Sequence, residues 1–149
     1  MAQKADGSKR RKVTTRQQKE DDRRKKIDRL TGEIEALRST LAEVNSERGT
    51  LSLPQIEGQV VYHTQYGKGT VTEQRGAVIS VSYEAGIRKQ KLPFVITSGC
   101  ITMEDEKILE DCLRILELEK EQDRLRLEIR HKESWIADLE NQIARLKRA

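Results

Sequence analysis

The last third of the chain keeps one rhythm, and that rhythm limits what it can fold into. Positions 108, 111, 115, 118, 122, 125, 129, 132, 136, 139, 143 and 146 alternate steps of three and four, and nine of the twelve are Ile or Leu. The exceptions are Asp111, Gln122 and Lys132. Such spacing puts every position on one helix face, and a seam this long points to a coiled coil. Thr102 before Glu104, Asp105 and Glu106 marks the start, because a hydroxyl caps the first turn and acids favour the positive end of the helix dipole. A helix is therefore expected over 103–148. A second apolar stripe, Leu109, Cys112, Leu113 and Leu116, occurs only at its beginning.

The same spacing recurs upstream in Ile27, Leu30, Ile34, Leu37, Leu41 and Val44. It predicts a second coiled-coil helix over 15–50, closed by Gly49 and Pro54. Gly32 lies off that seam and costs about 1 kcal/mol relative to alanine. Above Ile27 the seam gives way to Arg16, Lys19, Arg23 and Lys26. Residues 1–14 are polar, small and aperiodic, and are expected to be a disordered basic tail. The first 26 residues hold eleven Lys/Arg against four acids, so this tail and its extension carry +7 of a chain whose net charge is +4. Lys9, Arg10, Arg11 and Lys12 suit contact with nucleic-acid phosphates at salt-dependent affinity. They equally suit a solvated tail.

Charged residues make up 36% and aromatics 3% of the chain, which favours narrow helical seams over a thick core. No run of eighteen apolar residues occurs, so no membrane partner is expected. Cys100 and Cys112 make no metal set, and a reduced, cytoplasmic setting is the expectation.

Between the helices, residues 56–102 change character. Glycines, β-branched alternation and aromatics gather there. Strands are expected at Gln59–His63, Gly69–Glu73, Ala77–Tyr83, Ile87–Leu92 and Cys100–Thr102, with a helical turn in Pro93–Ser98. Alternation puts Ile79, Val81 and Tyr83 on one face, joined in a small core by Val61, Val71, Leu92, Phe94 and Ile101. Five short strands in so few residues fit an SH3-like barrel. The fold class is α+β, a small five-stranded barrel inserted between two long coiled-coil helices.

The pattern Val61-x-His63-x-x-Tyr66-Gly67-x-Gly69-x-Val71, followed by Ile79-x-Val81-x-Tyr83 and Gly86-Ile87-Arg88-Lys89, resembles the C-terminal Tudor-like domain of UvrD/PcrA-type DNA repair helicases. More distantly it is similar to the RNA polymerase-interacting domain of the CarD and transcription-repair coupling factor family. The resemblance covers about a third of the chain. It implies a module that docks on RNA polymerase beside nucleic acid, without catalysis of its own. No phosphate-binding loop or helicase motif accompanies it.

The residues themselves leave alternatives. Gly67 and Gly69 suit a turn, and a G-x-G without a following helix is weak evidence for nucleotide binding. His63 suits a packed or hydrogen-bonded position, because no other ligand has metal spacing with it. Tyr62, Tyr66, Tyr83 and Phe94 suggest either an aromatic cage for a methylated cation or core packing. Arg88, Lys89 and Lys91, with Lys68 and Arg75, are the candidate partner-binding surface. The same lysines also suit an edge strand guarded against aggregation. No paired carboxylates, nucleophile–base set or metal cluster is legible, so no catalytic residue, cofactor or metal is expected.

If the two helices return antiparallel from the barrel, Val44 falls near Ile108 and Ile27 near Leu125. Ile129, Ile136, Leu139, Ile143 and Leu146 are then unpaired, and each stands to gain about 1.5–3 kcal/mol on burial. That predicts a homodimer through this tip, or a partner helix bound to it, with Trp135 at the contact. The leading function is a non-enzymatic adaptor whose barrel docks on a large protein, RNA polymerase or another nucleic-acid machine. The alternative is direct nucleic-acid binding through the tail and the basic strand.

Overall fold

The structure is a computed structural model that describes residues 15–148 with their side chains. The backbone is described from residue 2, so the tail expected to be disordered over 1–14 falls within a helix that begins at Ala2, while the side chains of its Lys9–Lys12 run lie outside the described residues. In chain order the elements are α1 (Ala2–Gly49), β1 (Val60–His63), β2 (Gly67–Arg75), β3 (Val78–Tyr83), β4 (Gly86–Lys91), α2 (Phe94–Thr97), β5 (Ile101–Thr102) and α3 (Glu106–Arg148). The chain is α+β, with a curled five-stranded antiparallel sheet between two long helices. It divides into two compact units, 43–123 and the pair 1–42 with 124–149.

In the unit spanning 43–123, the strand order is β4-β3-β2-β1-β5. Glu84 and Ala85 make a two-residue hairpin between β3 and β4, closed by the pair Tyr83 and Gly86. A bulge at Thr72 in β2 shifts its register against β3, and bulges of this kind bend the strand and increase its twist. β4 and β5 do not pair, so the expected barrel is an open half-barrel. The helical turn α2 touches both of those strands.

Alternation sends Ile79, Val81 and Tyr83 inward, where they meet Val61, Val71, Leu92 and Ile101. Phe94, expected in this core, is 67% exposed. It opens α2, and the turn directs Val95 and Ile96 inward in its place. Ile56 is fully buried. Gln74 holds that entry segment: its Oε1 accepts from the Ile56 N–H at 2.8 Å, and its Nε2 donates to the Pro54 carbonyl at 2.9 Å.

The first turns of α3 complete this core with Ile108 and Cys112. Burial, and then the neighbouring Asp111 charge, push the Cys112 thiol from about 9.0 up to about 11. Cys100 is half-buried and free. Native protein therefore takes up one equivalent of iodoacetamide at pH 8 and two in denaturant, because only the thiolate reacts. Two equivalents at equal rates in native protein would contradict the packing. The same shift makes Cys112 a source of stability that is complete below its unfolded-state value and is lost as pH rises through about 11.

In the other unit, α1 and α3 run antiparallel. Glu33 pairs with Lys132 at 2.9 Å and Arg38 with Glu133 at 2.8 Å, and the Arg23 Nε donates to Gln142 at 2.8 Å. Lys26 lies 4.3 Å from the centre of the Trp135 ring. These pairs correct the expected register, because Ile27 lies level with the stretch after Trp135 rather than with Leu125. Within the 43–123 unit, α3 is committed first to the sheet core, and α1 meets it further along, at Arg114 with Glu47, Gln122 with Asn45 and Glu119 with Arg48.

The shift fills the seam within one chain. Leu125, Ile129, Leu139 and Ile143 are buried, and Ile136 and Leu146 are half-buried. On α1 the covered face continues upstream through Lys26 and Arg23 to Glu20. Long side chains there lay their stems along the apolar seam. The unpaired tip on which dimerisation was expected is therefore not present, and Trp135 is capped by Lys26 of its own chain. Gly32 faces open space. Gly32→Ala accordingly raises stability by about 1 kcal/mol, read as a shift in the urea midpoint; a destabilised variant would mean that this turn is not regular helix.

Candidate interaction face of the sheet

The register sorts the five candidate binding residues onto two faces. Arg88 lies opposite Val81 and Gln90 opposite Ile79, on the inward side. Lys89 lies opposite Ser80 and Lys91 opposite Val78, on the outward side. Across the sheet, Glu73 continues the row of Ser80, and Arg75 continues that of Val78. Lys68 faces Tyr62 in β1, also outward. Lys68, Arg75, Lys89 and Lys91 thus share the outer face, and Arg88 does not.

That outer face mixes charge with apolar surface. Ile87 is 68% exposed, and Val60, Tyr62 and Val78 are each about 40% exposed. The charges are not equivalent. Arg75 is paired with Glu73 at 2.6 Å. Lys68 lines a hollow with Tyr62 and Val60 whose other wall is Glu104 and Asp105. Lys68, Lys89 and Lys91 make no ion pair among the described residues, and two of these three free charges stand on β4. This strand is also an edge, and Ile87, Lys89 and Lys91 turn their backbone groups away from β3.

Arg88 belongs to a different assembly. Its guanidinium sits 4.8 Å from the Tyr66 ring centre. Tyr66 packs against His63 at 4.5 Å and against Tyr83 at 5.3 Å between ring centres. The His63 Nδ1 accepts from the backbone N–H groups of Gln65 at 3.0 Å and Tyr66 at 3.2 Å, so the ring's proton is on Nε2. The histidine holds the β1–β2 turn, in the hydrogen-bonded role the sequence suggested. The Tyr83 hydroxyl donates to Gln90 Oε1 at 2.8 Å. Burial pushes the Tyr83 phenol above its usual value, against the opposing effect of that hydrogen bond.

The four aromatics considered as a cage do not come together. Tyr62 is on the outer face, and Phe94 is exposed on α2. Tyr66 and Tyr83 are packed with His63, and the cation above them is the chain's own Arg88. Gly67 has a φ of 75° and makes the turn, whereas Gly69 is buried beneath Tyr83. Among the described residues no cluster of His, Cys, Asp and Glu could hold a metal ion, and no helix is long and apolar enough to cross a membrane. No family model, curated protein or solved structure matches the chain.

Ile87 is the residue sequence reading passed over. Its position between Gly86 and Arg88 is alternation-neutral in a strand with no buried hydrophobic face. Only the pairing with Ser82 places it outward beside Lys89.

Proposed function

We propose that this chain is a non-enzymatic adaptor, with the outer face of the half-barrel as its docking surface. The observation that carries the reading is the coincidence, on the outer face of the sheet, of unpaired Lys89 and Lys91 with exposed Ile87 on the edge strand β4 and with exposed Val78 opposite Lys91 on β3. A purely solvated edge needs the lysines but not the apolar neighbours. A protein interface uses both, apolar area for affinity and charge for orientation and approach rate. The sheet is read as SH3/Tudor-like on the strength of the resemblance in its residues. That resemblance favours RNA polymerase, or another machine acting on nucleic acid in transcription or DNA repair, as the partner. The α1–α3 pair is read as an antiparallel coiled-coil spacer. A seam filled within one chain favours a monomer, not the homodimer.

Direct nucleic-acid binding remains the second reading, supported by the basic excess of the first 26 residues. Nuclease treatment separates the two. Binding of the full chain to purified RNA polymerase is measured with and without nuclease and across a salt series. The adaptor reading expects nuclease-resistant binding. Binding that disappears with nuclease, and that falls steeply with salt on bare duplex, assigns the chain to the second reading.

A further inference from the structure

Within the 43–123 unit the sheet core has a second feature, separate from the outer face. A groove of about 350 Å³ opens between α2, β5 and the first turns of α3. Leu109 and Leu113, one helical turn apart on α3, form one wall, and Ile96 and Met103 contribute to the other. The two leucines are 41% and 45% exposed. The helix does not need them for its own packing, because Ile108, Cys112 and Ile115 already fill the buried side. Asp105 and Glu106 stand at the lip, and no lysine or arginine lines the groove. Asp105 spends one oxygen on the Lys107 N–H at 3.0 Å.

We propose that this groove binds a cationic amphipathic helix of another protein. Two apolar side chains one turn apart would seat against Leu109 and Leu113, as helix-in-groove complexes do. Lys or Arg beside them would meet Asp105 and Glu106. Charge selects this occupant. A second copy docked groove to groove would bring no lysine or arginine to Asp105 and Glu106, because the groove lining contains none, and so leaves their charge unmatched.

The probe is a fluorescein-labelled peptide of leucine and lysine, roughly 14 residues or four helical turns long. A leucine–glutamate peptide of the same spacing is the control for charge. The full-length chain is expected to bind the lysine peptide at least about tenfold more tightly than the glutamate peptide. Leu109→Gln/Leu113→Gln, at exposed helix positions, should weaken the lysine peptide at least about tenfold with unchanged circular dichroism. Glu106→Gln should weaken it less and flatten its salt dependence. Lys89→Glu/Lys91→Glu should leave it bound, which separates this site from the outer face. Equal binding of the two peptides, or binding indifferent to the leucine exchange, overturns the proposal. So does a wild-type dimer in sedimentation that dissociates on the leucine exchange, because the occupant is then a second copy.

Discussion

Gly69→Ala lowers the unfolding free energy by about 1–3 kcal/mol, the cost of overpacking a filled core. The added Cβ would stand 2.6 Å and 2.7 Å from Cδ1 and Cε1 of Tyr83, and 2.9 Å from Cγ1 of Val81. The ring has little freedom to move away. His63 and Tyr66 pack against it, and its hydroxyl is tied to Gln90 on β4. Backbone conformation is not the issue, since Gly69 is not among the glycines with positive φ. Urea titration of the two proteins reads the effect directly. An unchanged midpoint would mean that Tyr83 does not lie over this glycine.

Leu30→Ala has the larger effect, a loss of about 2–5 kcal/mol through lost burial and the cavity left behind. Leu30 is fully buried in the helix pair, between the Lys26–Trp135 and Glu33–Lys132 contacts. The Glu33–Lys132 pair beside it is half-buried at the surface, where an ion pair contributes little by comparison. Leu127→Ala, at a position 51% exposed on α3, should shift stability by no more than about 0.5 kcal/mol. Helical circular dichroism followed through urea distinguishes the two. Equal small effects would show that the seam is not closed within the chain.

These two sites also show how far the residues could be read before the fold was known. The seam positions in both helices were legible because their spacing matches the helix period. Their register was not. It depends on how many turns of α3 the sheet core claims, and nothing local to Ile108 or Cys112 distinguishes a sheet contact from a helix contact. Alternation gave the inward Ile79, Val81 and Tyr83. It could not assign the faces of Arg88 and Lys89, because β4 has no buried hydrophobic row to anchor the period; pairing with β3 decides it. The exposure of Phe94 is not legible for a related reason. Its size favours burial, but the orientation of α2 turns it outward and directs Val95 and Ile96 into the core.

The division of the basic strand into two faces gives the adaptor reading its sharpest test. Affinity for purified RNA polymerase, with nuclease present, is measured for wild type, for Lys89→Glu/Lys91→Glu and for Arg88→Gln. The outer-face variant should lose at least about tenfold in affinity, as charge reversal beside an apolar contact does. Arg88→Gln should bind as wild type, since that side chain lies over Tyr66 on the inner side. Loss in Arg88→Gln with retention in the outer-face variant would contradict the assignment of the docking surface. No binding by the wild-type chain would contradict the choice of partner.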